Sequence, residues 1–242
     1  PCIVDATANL KVAARRIAFG KWLNVGQTCV APDYLLVDTR VHDELLGLIK
    51  EEVRRMFGEH PLDNEDYGHI VNAKHFARVR GLFDPDKVVL GGTARESSLK
   101  IEPTILDGVT PDDAVMQEEI FGPILPVLTF ESLDEAEAFI TDRPTPLALY
   151  IFSQDRAVQQ RFVRYVPFGG GCVNDTIMHL ATSHMGFGGM GASGMGQYHG
   201  RESFDTFSHK KSIVNKANWM EVPFRYAPYA SWKHKFMRKF VH

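Results

Sequence analysis

A cysteine in a loop of small and polar residues is the strongest candidate for chemistry in this sequence. Residues 26–32 read Gly-Gln-Thr-Cys-Val-Ala-Pro and join a helical pattern to an apolar strand. The reactive form of cysteine is the thiolate, which needs exposure and nearby hydrogen-bond donors. The small side chains around Cys29 leave room for a substrate carbon to reach the sulfur. An isolated cysteine is more often a small buried residue, so this loop alone favours an inert Cys29.

A second candidate lies at residues 118–123, which read Glu-Glu-Ile-Phe-Gly-Pro. The Gly-Pro pair predicts a turn, which would hold Glu119 and Phe121 at the edge of a site. A solvated helix end is the alternative interpretation. Taken by itself, the segment favours that alternative.

Three other patterns resemble functional motifs without the context that such motifs need. Residues 186–191 (Gly-Phe-Gly-Gly-Met-Gly) match the dinucleotide fingerprint, but the pattern predicts no strand before them and no helix after them. We interpret them as a loop that packs closely against a neighbouring surface. The spacing of Cys172, His179 and His184 fits no compact zinc site, so structural roles are favoured. The glycosylation sequon at Asn174 is interpreted as a chance match.

Strand and helix patterns alternate along most of the chain. A helix with apolar residues from Leu10 to Trp22 precedes the cysteine loop, and the clearest helix is predicted over residues 42–57. Further helices are predicted over residues 72–82, 133–140 and 157–165. Strands are predicted at residues 2–4, 34–37, 88–90, 100–106, 123–130, 148–152 and 171–174. This alternation predicts an α/β fold with helices layered on a largely parallel sheet.

The last part of the sequence has a different character. Residues 186–200 contain seven glycines and predict a loop, whereas residues 204–215 alternate as a strand would. The tail carries an apolar stripe beside basic residues, and the stripe consists of Trp232, Phe236, Met237, Phe240 and Val241. Such a stripe can lie on an anionic membrane surface. We favour the alternative that the stripe packs against the protein's own domain or against a partner.

Composition and charge exclude several classes of protein. The 242 residues are 44% hydrophobic and 24% charged, which is typical of a soluble globular protein. A formal net charge of -3 gives no indication of a nucleic-acid-binding face. Three widely spaced cysteines predict a reducing, cytoplasmic location, and no apolar run has the ~18 residues of a membrane span. Because the sequence opens at Pro1 in the middle of a strand pattern, we expect a piece of a longer protein.

Four motifs, taken in order, resemble those of the aldehyde dehydrogenase superfamily. They are Gly-Gln-Thr-Cys at residues 26–29, the segment at 118–123, Phe-Gly-Gly at 187–189 and Ser-Gly-Met-Gly at 193–196. Residues 30–34 (Val-Ala-Pro-Asp-Tyr) and 204–209 (Phe-Asp-Thr-Phe-Ser-His) are similar to the class-three branch. The resemblance covers essentially the whole chain.

The resemblance implies chemistry at Cys29. Its thiolate would attack an aldehyde carbonyl to give a thiohemiacetal, and its backbone N–H would be one oxyanion donor. Transfer of a hydride to NAD or NADP would leave a thioester, which water would hydrolyse to the carboxylic acid. With the resemblance, Cys29 is interpreted as a catalytic nucleophile and not as an inert buried thiol.

Other site residues also follow from the resemblance. Glu119 would accept hydrogen bonds from the nicotinamide ribose, and Phe121 would pack beside it. Phe187 would line the substrate tunnel. His75 and His199 would border the cofactor and substrate sides. No metal is implied.

The resemblance further implies two regions and a homodimer. Residues 1–203 would form the catalytic domain, and residues 204–242 would supply an oligomerisation strand and a tail. The partner strand would pair near residues 204–215, because a long unpaired strand edge favours association.

The sequence departs from the family pattern because several segments that the family has are absent from it. The family's general-base glutamate, in a Glu-Leu-Gly-Gly-Lys-type motif, belongs upstream of Pro1, as do the second oxyanion donor, an asparagine, and the whole cofactor-binding domain. Gly186 stands where the family often has proline. We therefore expect the catalytic half of a longer enzyme, inactive when isolated. A thiol esterase or acyltransferase, and a non-catalytic oligomerisation module, are the two competing hypotheses.

Overall fold

A seven-stranded sheet forms the centre of the computed structural model, which describes residues 1–221 and 225–238. The chain divides into two units, Pro1–Phe207 and Ser208–His242. The sheet belongs to the first unit, and its strand order is β3-β6-β7-β2-β1-β8-β9. Its strands are β1 (Cys2–Val4), β2 (Leu35–Asp38), β3 (Val88–Leu90), β6 (Thr104–Leu106), β7 (Ile124–Phe130), β8 (Ala148–Phe152) and β9 (Gly170–Val173). A separate two-stranded ribbon joins β4 (Ala94–Arg95) to β5 (Lys100–Ile101).

The pairing directions confirm the predicted α/β fold with a largely parallel sheet. Each pair of neighbouring strands is parallel except β3 with β6, which is antiparallel. Strands β1, β2 and β8 are buried along their whole lengths. Continuous apolar runs of this kind are typical of a parallel sheet covered on both faces.

Five helices of the first unit flank the sheet, and their bounds follow the predicted patterns closely. They are α1 (Leu10–Trp22), α2 (His42–Phe57), α3 (Ala73–Arg80), α4 (Leu133–Thr141) and α5 (Arg156–Tyr165). Helix α1 begins at Asn9, whose side chain accepts a hydrogen bond from the Val12 N–H. Helix α2 packs against α1 through a buried face that includes Leu45, Ile49 and Val53.

The strand predicted at residues 204–215 does not begin where the alternating pattern placed it. Residues Gly200–Thr206 form a sixth helix, α6, so the predicted boundary at residue 204 falls inside a helix. Residues 208–215 form no strand within this chain. The glycine-rich segment is a loop, as predicted, and one antiparallel bridge joins Phe187 to Tyr198.

The second unit contains a short helix, α7 (Ser231–Met237). Trp232, Phe236 and Met237 of the predicted apolar stripe lie on this helix, whereas Phe240 and Val241 are outside the described residues. None of the helices in the described ranges is long and apolar enough to cross a membrane.

Candidate active site

The Cys29 loop is positioned by an abrupt turn at the end of α1. Asn24, Val25 and Gly26 have φ values of 51°, 57° and 71°, so three consecutive residues adopt left-handed backbone. A Cβ atom at Gly26 would lie 2.1 Å from the carbonyl oxygen of Gly122, so glycine is required there. The turn brings Cys29 to the surface, where its thiol is free and exposed.

Hydrogen bonds from both sides hold this loop in place. The Gln27 amide donates to the His69 carbonyl oxygen at 3.0 Å and accepts from the Val71 N–H at 2.9 Å. The Tyr150 hydroxyl, on β8, donates to the carbonyl oxygen of Val30 at 2.6 Å. The residue that follows the cysteine is therefore attached to the central sheet.

Cys29 opens onto a cavity of about 580 Å³. Glu119 lies on the same cavity, so two of the predicted site residues are brought together. Residues 143–148, which lead from α4 into the start of β8, form much of another wall. The remaining lining residues are Pro1, Ala31, Asp33, Tyr34, Met116, Gln117, Glu118, Ile140, Tyr150, Ala192 and Ser193.

Arg78 and Asp33 shape the segment that carries Glu119. The Arg78 guanidinium donates to the Glu118 carboxylate at 2.8 Å and to the Ile120 carbonyl oxygen at 2.5 Å. From the other side, Asp33 accepts a hydrogen bond from the Ile120 N–H at 3.1 Å. Partial burial, together with the negative charge of Asp33, raises the pKa of the Glu119 carboxyl.

Phe121 lies beside this segment and does not line the cavity. Its φ of 47° is left-handed, an uncommon conformation for a bulky residue. His75 supports it, because its Nε2 atom lies 2.7 Å from the Phe121 carbonyl oxygen and the two rings meet edge to face. His75 therefore belongs to the Glu119 side of the site.

Phe187 is buried in an aromatic cluster away from the cavity lining. Its ring lies 5.5 Å from that of Tyr198 and stacks on that of His199 at 5.9 Å. His179 packs on its other side, and its Nδ1 atom lies 3.6 Å from the Cys172 sulfur. Within residues 1–221 and 225–238, no three His, Cys, Asp or Glu side chains are grouped to bind a metal ion.

A buried lysine beside the site was missed in the sequence. Lys21, one turn before the cysteine loop, is only 1% exposed. Burial lowers the pKa of its ammonium to about 8, and the carboxylates of Asp33 and Glu119 oppose that shift. Helical spacing offered a signal, since Lys21 follows Ile17 by four residues and thus lies on the apolar face of α1.

With the fold and cavity described, comparison with known proteins identifies the family. Residues 1–213 match the aldehyde dehydrogenase family. The chain belongs to that family.

Individual relatives agree with this assignment. A 4,4'-diaponeurosporen-aldehyde dehydrogenase of Staphylococcus aureus is 52% identical over 99% of this chain and 52% of its own length. The rat dimeric NADP-preferring aldehyde dehydrogenase is 48% identical over 90% of this chain and 48% of its own length. The chain thus spans about half the length of the curated relatives that it matches.

Solved structures show the same fold. The substrate-bound state of Staphylococcus aureus AldH superposes with a TM-score of 0.95 at 52% identity, covering 99% of this chain and 53% of that one. An NAD-dependent aldehyde dehydrogenase from Sinorhizobium meliloti superposes with a TM-score of 0.79 at 31% identity, covering 91% and 46% of the two chains.

Proposed function

We propose that this chain supplies the nucleophilic cysteine of an aldehyde dehydrogenase that oxidises an aldehyde to a carboxylic acid with NAD or NADP. The observation that carries the proposal is the exposed, free Cys29 thiol on the cavity that Glu119 also lines. Membership of the aldehyde dehydrogenase family supports the same reaction class. In this proposal the chain is the catalytic half of the enzyme.

The proposed reaction begins at the Cys29 sulfur. The thiol loses its proton to a base, and the sulfur bonds to the aldehyde carbon. The carbonyl oxygen gains negative charge, which the Cys29 backbone N–H stabilises in the resulting thiohemiacetal. Loss of a hydride from that carbon gives a thioester on Cys29. Water then attacks the thioester, releasing the carboxylic acid and the free thiol.

Glu119 and Phe121 are the residues proposed to hold the nicotinamide cofactor, which serves as hydride acceptor when bound. The fit rests on Glu119, which lines the cavity and whose carboxyl has a pKa raised by desolvation and by Asp33, against the opposing charges of Arg78 and Lys21. A ribose hydroxyl could donate a hydrogen bond to that carboxylate. Phe121, whose ring meets that of His75 edge to face, would pack beside the ribose.

Phe187 is proposed to line the substrate tunnel, with His199 beside it. Their rings are stacked, and the loop that carries them also contributes Ala192 and Ser193 to the Cys29 cavity. This continuity links the aromatic cluster to the place where an aldehyde would react.

Assembly and location are further parts of the proposal. We propose that residues 1–203 are the catalytic domain and that residues 204–242 serve assembly. Residues 208–215, to which the described part of the chain assigns no strand, would add to the sheet of a second copy in a homodimer. The three free cysteines support a cytoplasmic location.

Differential alkylation tests the role of Cys29. The chain would be treated with iodoacetamide and the extent of labelling at Cys2, Cys29 and Cys172 measured by peptide mass spectrometry. We expect Cys29 to react first, because it is exposed while Cys2 is buried and Cys172 is half-buried. Benzaldehyde should slow labelling of Cys29 by forming a reversible thiohemiacetal. Labelling of Cys172 should not change, which makes it the internal control.

Activity assays separate the competing functions. The chain alone should give no turnover of benzaldehyde with NAD or NADP, because its sequence contains no Glu-Leu-Gly-Gly-Lys-type base segment. Turnover that is lost in Cys29→Ser would contradict this expectation. A 4-nitrophenyl acetate assay detects an esterase. A Cys29 that alkylates no faster than Cys172 would support the non-catalytic module instead.

A further inference from the structure

Two side chains of helix α3 hold three consecutive carbonyl groups of the segment that carries Glu119. Arg78 donates hydrogen bonds to the carbonyl oxygens of Glu119 at 3.3 Å and of Ile120 at 2.5 Å. The Nε2 atom of His75 lies 2.7 Å from the next carbonyl oxygen, that of Phe121. Because His75 and Arg78 are three residues apart on α3, they lie on the same face of the helix.

A hydrogen bond between these two side chains determines where the proton of His75 lies. The Nε–H group of Arg78 donates to the Nδ1 atom of His75 at 3.2 Å. A guanidinium can only donate hydrogen bonds, so Nδ1 carries a lone pair and the neutral imidazole has its proton on Nε2. That Nε2–H group donates to the Phe121 carbonyl oxygen, which can only accept. The hydrogen bonds therefore form a directed relay from Arg78 through His75 to Phe121.

The backbone at the end of this relay is strained and closely packed. Phe121 has a φ of 47°, and a bulky residue keeps left-handed backbone only when its surroundings hold it there. The next residue, Gly122, lies so close to α3 that an added Cβ would be 2.9 Å from a methyl group of Val79. Loss of the relay would therefore act on the backbone that sets the direction of the Glu119 side chain.

We propose that His75 is a positioning residue that holds the Glu119 segment only in its neutral form. A proton added at Nδ1 would place an N–H group of the imidazolium against the Nε–H group of Arg78. Two donors and two positive charges would then meet where 3.2 Å now separates the nitrogen atoms. One of the two side chains must move, and the relay to Phe121 is broken. The segment is therefore held above the pH at which His75 gains its proton and is loosened below it.

Charged groups on the packed elements influence this switch. They include Arg78 and Lys74 on α3, Glu118 and Glu119 on the facing segment, and Lys21 and Asp33 on either side of the cysteine loop. Arg78 disfavours a second positive charge because it is in direct contact with His75. Glu118 accepts a hydrogen bond from another nitrogen of the same guanidinium at 2.8 Å. Arg78 can therefore leave His75 and still keep its ion pair.

The relay follows from hydrogen bonds alone, whereas its value for catalysis rests on the proposed role of Glu119 at the nicotinamide ribose. In that role, protonation of His75 would weaken the hold on the cofactor from the ribose side. The relay thus adds a pH-dependent control to the proposed cofactor site, and it does so through a residue outside the lining of the cavity.

Nitrogen-15 NMR of the 242-residue chain tests the tautomer of His75. At about pH 8, long-range proton–nitrogen spectra should show an unprotonated Nδ1 atom and a protonated Nε2 atom. On acidification Nδ1 should gain its proton. The Ile120 N–H group, which donates to Asp33, should then exchange with solvent faster, with the same midpoint after correction for intrinsic exchange. Titration of the exposed His60 should not affect that amide.

Two substitutions separate positioning from the filling of space. A glutamine amide can accept from Arg78 and donate to the Phe121 carbonyl oxygen without titrating, so His75→Gln should keep Ile120 exchange slow and remove its pH dependence. Leucine fills a similar space without polar atoms. His75→Leu should therefore speed that exchange about fivefold at about pH 8, the factor for one ordinary hydrogen bond. The control, His60→Gln, should match the original chain.

Three results would overturn the proposal. They are a proton on Nδ1 at about pH 8, unchanged protection of the Ile120 amide in His75→Leu, and equal loss of protection in His75→Leu and His75→Gln. Should His75→Leu fail to fold, the tautomer and the pH profile of His75→Gln still decide. Failure of the proposed function is a separate result, because alkylation of Cys29 would then be insensitive to benzaldehyde while the relay remains intact.

Discussion

Replacing Lys21 by methionine should stabilise the protein in a pH-dependent manner. In the folded state, burial holds the pKa of Lys21 at about 8, against an ordinary value of 10.5. At 1.36 kcal/mol per pKa unit, the buried charge costs about 3 kcal/mol of folding free energy. Methionine has a similar length and carries no charge, so Lys21→Met removes that cost.

The sign of the pH dependence follows from proton binding. Below pH 8 the lysine is charged in both states, and the full cost of burial is present. Between pH 8 and about 10.5 the unfolded chain binds the proton more strongly than the folded chain, so the stability of the unmodified protein rises with pH. The advantage of Lys21→Met should therefore be about 3 kcal/mol at pH 7 and should shrink toward zero by about pH 10.5.

Urea unfolding at pH 7 and at about pH 10 measures the stabilisation by Lys21→Met and its dependence on pH. Near neutral pH the gain corresponds to a rise in Tm of roughly 6–12 °C for a domain of this size. Lys11→Met is the matched control, because Lys11 lies on the same helix but is exposed. It should show no comparable pH-dependent difference. An advantage of Lys21→Met that is the same at both pH values would refute the reasoning.

Two other predictions follow from the structure. Gly26→Ala should lower Tm by at least about 5 °C and slow alkylation of Cys29, because its Cβ would clash with the Gly122 carbonyl oxygen. The control is Gly47→Ala, at an exposed helical position where no atom lies within 4 Å of the added Cβ. Gly47→Ala should be neutral or stabilising by about 0.5–1 kcal/mol. Equal effects of the two substitutions in thermal melts would contradict the steric argument. Light scattering should give the mass of a dimer or larger species, and a strictly monomeric mass at about 100 µM would contradict the proposed assembly through residues 208–215.

The fold could be predicted from the sequence wherever one local pattern was sufficient. Helix α2 shows this clearly, since its apolar spacing gives the buried face and Gly58 ends it at a φ of 76°. The direction of β3 could not be read in the same way. Its residues have the same strand pattern whether they pair parallel or antiparallel, and only the path of the chain decides.

The alternating pattern from residue 204 was misleading for a physical reason. Phe204 and Phe207 are three residues apart, a spacing that also fits one face of a short helix, and Gly200 begins α6 seven residues before Phe207. A seven-residue helix is too short for its 3.6-residue period to stand out against a period of two.

The candidate site was only partly predictable from the sequence. Cys29 and Glu119 were found because each lies in a recognisable motif, and the fold brings them to one cavity. Lys21 was missed although helical spacing placed it on the apolar face of α1, and Arg78 was missed because its effect depends on groups far away in the sequence. Arg78 contacts the Glu119 segment across about 40 residues, and no local pattern records such a pairing.

The close approach of Gly26 to Gly122 packs the cysteine loop directly against the segment that carries Glu119. The Trp22 indole N–H adds a second connection, donating to the Pro123 carbonyl oxygen at 2.9 Å. A displacement of either segment would therefore strain its contacts with the other. We propose that differences in aldehyde size are accommodated by the other lining residues, 143–148 and 192–193, because they belong to neither of these two joined segments.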